Sequence, residues 1–221
     1  MMRTKLADRE LPQYSKGEEI FNMVSHIVGG ALSIIALVLC IVVAALHRNG
    51  YGVIASVIYG VTMISLYTMS SIYHGLHPCT GKKVMQIIDH CTIYFMIAGS
   101  YMPVVFCQIR EKSTALCWII FAIEWGLVAI ATTLTAIDLK KYKAFSMICY
   151  IGMGWIIIFF IKLLIETISM AGIILFLIGG ILYTIGAVIY GFKRKYAHCI
   201  FHIFVILGSI AHFFAIILYV L

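Results

Sequence analysis

The stretch His198-Cys199-Ile200-Phe201-His202 opens an apolar run that continues to Leu221. At helical pitch its two histidines lie on one face, one turn apart, so both imidazoles can address a single ion. Two such polar rings in or near hydrocarbon are costly, and pairing, metal binding or an aqueous cavity usually compensates. A third histidine, His74, stands at the end of another apolar run. The chain therefore reads as a membrane protein with a candidate metal site.

Composition extends that reading to all 221 residues, of which 63% are hydrophobic and only 11% charged. Mean hydropathy is +1.05. A soluble chain this apolar could not cover its own surface with polar groups, so length is read in membrane spans. Seven runs separate, at 23–46, 52–76, 84–107, 114–136, 144–164, 169–191 and 197–220. Each can cross about 30 Å of hydrocarbon as a helix. The expectation is an all-α, seven-transmembrane-helix bundle over 23–221, preceded by a cytoplasmic segment, 1–22. The break between Ile165 and Gly172 is the least marked, with Lys162 and Glu166 its only charges. A six-span alternative merges or shortens the two runs it separates.

The net charge of +7 does not suggest a nucleic-acid partner, because the cations are spread over loops rather than gathered in a patch. Arg3, Lys5, Arg9, Lys16, Lys82, Lys83, Lys140, Lys141, Lys143, Lys193, Arg194 and Lys195 fall on one side. Only Arg48, Arg110, Lys112 and Lys162 fall on the other. The positive-inside rule then puts the N-terminus in the cytoplasm and the C-terminus outside. The first 22 residues mix acids and bases without a cleavage-site pattern, so no removable signal peptide is expected. The seven cysteines form no CxxC and no disulfide framework, and read as small apolar packing residues.

With that topology, helices far apart in sequence place their unusual polar groups in one layer near the cytoplasmic interface. His74 is near the inner end of helix 2, Asp89 near the inner start of helix 3, and His198 and His202 in the first turns of helix 7. Glu19, Asn22, Ser25 and His26 open helix 1 at the same level. Three imidazoles with one open position form a common catalytic zinc arrangement, although imidazole alone also admits iron, nickel or copper. Asp89 could orient and deprotonate a water at the metal, or orient a ligand imidazole. Ser70, four residues before His74, shares its helix face and could contact that water or a substrate carbonyl. The blander readings are a buried hydrogen-bonding histidine, two histidines bridging helices, and a serine at a helix contact.

His77, before Pro78, is a lesser ligand candidate, and His47 belongs to an outer loop. His90 stands about 100° around the helix from Asp89, so the two are not expected to face one point. His212 lies about 15 Å along the axis from His202, too far to share a metal, and is expected to bond between helices. Glu124, in mid-span, reads as a bundle-facing residue. Gly29-Gly30, Gly152-x-Gly154 and Gly179-Gly180 suggest close helix packing, and Pro103 a kink.

Together, Glu19-x-x-Asn22-x-x-Ser25-His26, Ser70-x-x-x-His74, Asp89 followed by Gly99-Ser100-x-x-Pro103, and His198-x-x-x-His202 resemble the hemolysin III proteins. These are the bacterial branch of the progestin and adiponectin Q receptor family. The resemblance runs from about residue 15 to the C-terminus. It implies a seven-helix bundle in the bacterial plasma membrane with an intramembrane zinc near the cytoplasmic side. His74, His198 and His202 match the family's zinc ligands, Asp89 its acidic residue beside the metal and Ser70 its serine. Relatives of the family, and the more distant alkaline ceramidases, suggest hydrolysis of a lipid amide.

Three functions follow as expectations: a zinc-dependent hydrolase of membrane-lipid amides or esters, a sensor or receptor with a structural zinc, and a cytolysin. A pore needs a polar stripe through the full membrane depth, which the apolar outer halves of most helices lack. The open metal position tilts the balance toward the enzyme. Substrate and oligomeric state are not encoded in any motif.

Overall fold

Seven helices long and apolar enough to cross a membrane follow one another in a computed structural model of the chain, which describes residues 4–192 and 194–221. They are α1 (Lys16–Leu46), α2 (Gly50–Gly75), α3 (Thr80–Lys112), α4 (Thr114–Ile137), α5 (Lys143–Thr167), α6 (Met170–Gly191) and α7 (Ala197–Tyr219). Arg3 and Lys193, two of the cations used for topology, lie outside the described residues. The doubtful break resolves into two spans. Ser169 stops the chain from continuing as one helix by capping α6, its hydroxyl accepting from Gly172 N at 3.3 Å.

Helix starts follow the capping residues more closely than the hydropathy. α1 begins at Lys16, ahead of the apolar run, because Ser15 and Glu18 form a reciprocal capping box. Asn49 caps α2 through Gly52 N at 2.8 Å. The disturbance expected at Pro103 appears as a π-helical turn, Val105–Ile109, directly after it. A proline inside a helix donates no hydrogen bond and crowds the carbonyl four residues back, which loosens the turn around it. α5 is broken midway by a 3-10 stretch, Ile156–Phe160.

α1, α2, α3 and α7 pack closely, and glycine lets them do so. A Cβ on Gly29 would come within 2.6 Å of the Tyr67 ring, and one on Gly60 within 2.6 Å of Leu37 Cβ. Gly179 likewise leaves room for the His212 ring. Gly152 and Gly154 do not behave this way. A Cβ at either would meet nothing within 4 Å, although the next residue, Trp155, does touch α6 at Gly180 and Thr184. Six of the cysteines are buried and Cys79, before α3, is exposed; all are free thiols. At the far face His47 Nδ1 donates to Leu221 O at 2.9 Å and Gln108 Nε2 to Val220 O at 2.9 Å, tying the end of α7 to α1 and α3.

Candidate metal centre

The last turns of α2 and the first turns of α7 meet on the face that carries the N-terminus. Tyr196, just before α7, is held in the left-handed conformation at φ 64°, and its N–H donates to Glu18 Oε1 at 2.8 Å. That bond pins the start of α7, and so His198, to α1. His198 Nε2 then stands 3.1 Å from His74 Nε2 and 2.9 Å from His202 Nε2. All three side chains are buried, and one ligand atom from each falls within 4.8 Å of the others.

The hydrogen bonds around the rings assign their protons. His74 Nδ1 lies 2.6 Å from Glu19 Oε2, an acceptor, so that nitrogen carries the proton and Nε2 presents a lone pair. Ser25 Oγ donates to Asn22 O at 3.0 Å, which leaves its oxygen to accept from His202 Nδ1 at 3.3 Å. His202 Nε2 is therefore a lone pair too. Two lone pairs face His198 Nε2, which can offer a proton to only one of them, while His198 Nδ1 is buried without a partner. A cation at the common point satisfies all three nitrogens. Tetrahedral zinc, with Zn–N of about 2.0–2.1 Å, holds its nitrogens roughly 3.3 Å apart, close to the spacing here. The donor set fits a metal ion; no ion is part of the structure.

Four residues around the cluster, Glu19, Lys82, His26 and Tyr14, carry no assigned role in the motif reading. Glu19 Oε1 accepts from Lys82 Nζ at 2.6 Å, and Lys82 also donates to Leu76 O at 2.9 Å. Lys82 is thus a buried cation paired with the Glu19 carboxylate that also meets His74, not a free loop charge. His26 stacks on His202 with ring centroids 3.6 Å apart and planes 9° from parallel, and neither of its nitrogens has a partner. The placement of Glu19, Asn22, Ser25 and His26 at the depth of His74 was the available signal. Tyr14, ahead of α1, lays its ring 5.1 Å from that of His198 and 5.8 Å from that of His74. Burial, reinforced by Tyr190, Glu19 and Asp89, pushes its hydroxyl well above the usual phenol range.

Asp89, on α3, and Ser70, on α2, are both buried. Both line a cavity of about 1130 Å³, its open mouth included, that also touches His198 and His202. His90 lines the same cavity, with Nδ1 3.7 Å from Asp89 Oδ2. The 100° separation along α3 does not keep the two apart, since both arcs border one wide space. From the histidines the cavity runs between α3, α5, α6 and α7. A second space, about 640 Å³ with its open mouth included, shares Trp155, Gly180 and His212 with it and continues toward the far face. His77 is exposed and outside the cluster. His212 Nε2 donates to Phe176 O at 3.2 Å, joining α7 to α6. Glu124 is fully buried with neither oxygen partnered.

The haemolysin-III related family matches residues 14–213, a range that holds all three histidines, Asp89 and Glu19. The chain belongs to that family. It is 38% identical over 205 residues to Hemolysin-3 of Bacillus cereus, covering 92% of both chains. It is 35% identical over 203 residues to the Hemolysin-3 homolog of Bacillus subtilis (strain 168), covering 91% of this chain and 94% of that one. The human monocyte to macrophage differentiation factor, a member of the wider progestin and adiponectin Q receptor family, is 27% identical over 210 residues. That alignment covers 89% of this chain and 79% of the human protein. No solved structure matches. The protein is a multi-pass protein of the bacterial plasma membrane.

Proposed function

We propose that this haemolysin III protein is a zinc-dependent hydrolase of a membrane-lipid amide or ester, with its site toward the cytoplasm. The observation that carries the reading is the cavity: a largely apolar space inside a membrane protein ends on Ser70, Asp89 and two members of the histidine cluster. Such a space suits an acyl chain whose carbonyl lies at the polar end. Its walls beyond the histidines are mainly apolar, with Ile93, Ile97, Trp155 and Val205, and carry scattered polar groups such as Thr184 and His212. The cytoplasmic orientation rests on the twelve-to-four asymmetry of Lys and Arg.

Zinc, when bound, would polarise the substrate carbonyl and acidify water. The chain's own groups do the rest. Glu19 holds the proton of His74 away from the site, and Ser25 does the same for His202. Asp89 accepts the proton of the attacking water as its oxygen bonds to the carbonyl carbon. The C–N or C–O bond then breaks and Asp89 returns the proton to the departing nitrogen or oxygen, leaving a carboxylic acid and an amine or alcohol. Ser70 orients Asp89 and stands within reach of the carbonyl oxygen.

The test is product release from a membrane-lipid extract by purified, zinc-loaded protein and by its Asp89→Asn variant. General acid–base assistance is worth about 10²–10⁴-fold, so turnover should fall by roughly that range while zinc is retained. Unchanged function in Asp89→Asn, with collapse of the bundle when a histidine is removed, would instead make the metal structural, as in a sensor.

A further inference from the structure

The histidine cluster is covered on two sides by different things. From within the membrane the cavity reaches it; from the N-terminal face it meets residues 4–14, which run as an irregular strap across the helix ends. The strap is fastened at several points. Thr4 N donates to Asp138 Oδ2 at 3.0 Å, and Arg9 Nη2 donates to Ile137 O at 3.1 Å and Ala136 O at 3.4 Å, at the C-terminal end of α4. Arg9 there meets carbonyls of the last helical turn, where its charge also suits the helix dipole. Lys83 Nζ, at the start of α3, donates to Ala7 O at 2.6 Å. At its other end the strap feeds the Ser15–Glu18 capping box, and between these anchors lies Tyr14, over His74 and His198.

No residue of the strap borders the cavity, so Tyr14 and the cavity approach the cluster from different directions. His74, His198 and His202 expose only 3%, 8% and 1% of their surface, so among the described residues the three rings are covered on the N-terminal face as well. We infer that residues 4–14 form a lid over the aqueous face of the metal site, with Tyr14 as its plug and the α4 end as its latch. A metal ion, water and a polar product pass on that side only when the strap lifts, whereas a lipid enters through the cavity. The holding interactions are a few hydrogen bonds at the protein surface, each of modest net strength, so the strap can open without unfolding the bundle. The inference rests on the metal-site reading and adds its control of access.

The experiment measures zinc extraction by EDTA from the purified full-length protein in detergent. It compares the wild type with Tyr14→Ala, Tyr14→Phe and Arg9→Ala. Tyr14→Ala and Arg9→Ala should start with unchanged zinc content and lose it roughly tenfold faster or more, the scale set by losing one or two hydrogen bonds or a buried ring. Tyr14→Phe keeps the ring and should remain slow. Equal extraction rates in all four proteins would overturn the lid. A second readout stands apart from the metal: carbethoxylation of His74 and His198 by diethyl pyrocarbonate in chelator-treated protein, followed by mass spectrometry. Faster labelling in Tyr14→Ala supports the lid even if the wild type binds no zinc, a result that would sink the metal reading alone. Equal labelling there removes the lid as well.

Discussion

α3 and α5 cross the same membrane in the same bundle, yet 78% of the most apolar window of α3 is buried against 11% for α5. α3 lies among α2, α4 and the end of α7, and carries Asp89 into the site. α5 touches its neighbours sparsely, is interrupted by a 3-10 stretch, and faces the cavity with Gly154 and Trp155. The contrast separates two demands on a membrane site. Ligands need rigid elements to hold three nitrogens within hydrogen-bond distance, and α1, α2, α3 and α7 supply them. In the proposed hydrolase, entry of an apolar substrate needs a wall that does not close, and α5 is the candidate.

Glycine substitutions should break or sharpen this comparison most strongly. Gly60→Ala, in the tight half, pushes a methyl against Leu37 Cβ, and overpacking of this kind costs about 1–3 kcal/mol. Gly152→Ala, in α5, meets nothing and should gain up to about 1 kcal/mol from helix propensity. Thermal unfolding in detergent should therefore shift in opposite directions for the two variants. A shared sign would mean that α5 packs as tightly as α2 does against α1. A smaller effect is expected at Tyr196, whose left-handed backbone is strained for a residue with a Cβ. Tyr196→Gly should stabilise the fold by about 1 kcal/mol, read by the same melting experiment.

The smallest effect concerns pH. Hydrogen bonds from Thr4 and Lys141, with the Arg9 charge nearby, lower the Asp138 carboxyl from its ordinary 3.8 to about 2. A depressed acid contributes its stability fully above the unfolded value and loses it as pH falls through the folded one. The Asp138 end of the strap should therefore hold unchanged from neutral pH down to about 4 and release only between there and about 2. Amide exchange at Thr4 across that range measures it. Release near pH 6 would show that another group carries the latch.

The seven spans were legible because apolar length is written directly in composition, and the convergence of His74, Asp89, His198 and His202 followed from topology alone. What stayed hidden depends on long-range partners. The bond between Lys82 and Glu19 joins residues that separate loops and helices place at one level, and no local pattern marks it. α1 starts seven residues before its apolar run because a cap and a buried Glu18 outweigh hydropathy there. Gly152-x-Gly154 looks like a packing motif, yet a small residue serves a tight contact and a cavity wall equally well. Tyr14 belongs to a polar segment whose position only the folded helix ends define.

The account stands most directly on the metal. Elemental analysis of detergent-purified protein should show near-stoichiometric zinc in the wild type and almost none in the His198→Ala/His202→Ala double variant, with both proteins folded by circular dichroism. Zinc retained in the folded double variant, or absent from wild type purified without chelator and resupplied with zinc, would contradict the assignment of His74, His198 and His202 as its ligands.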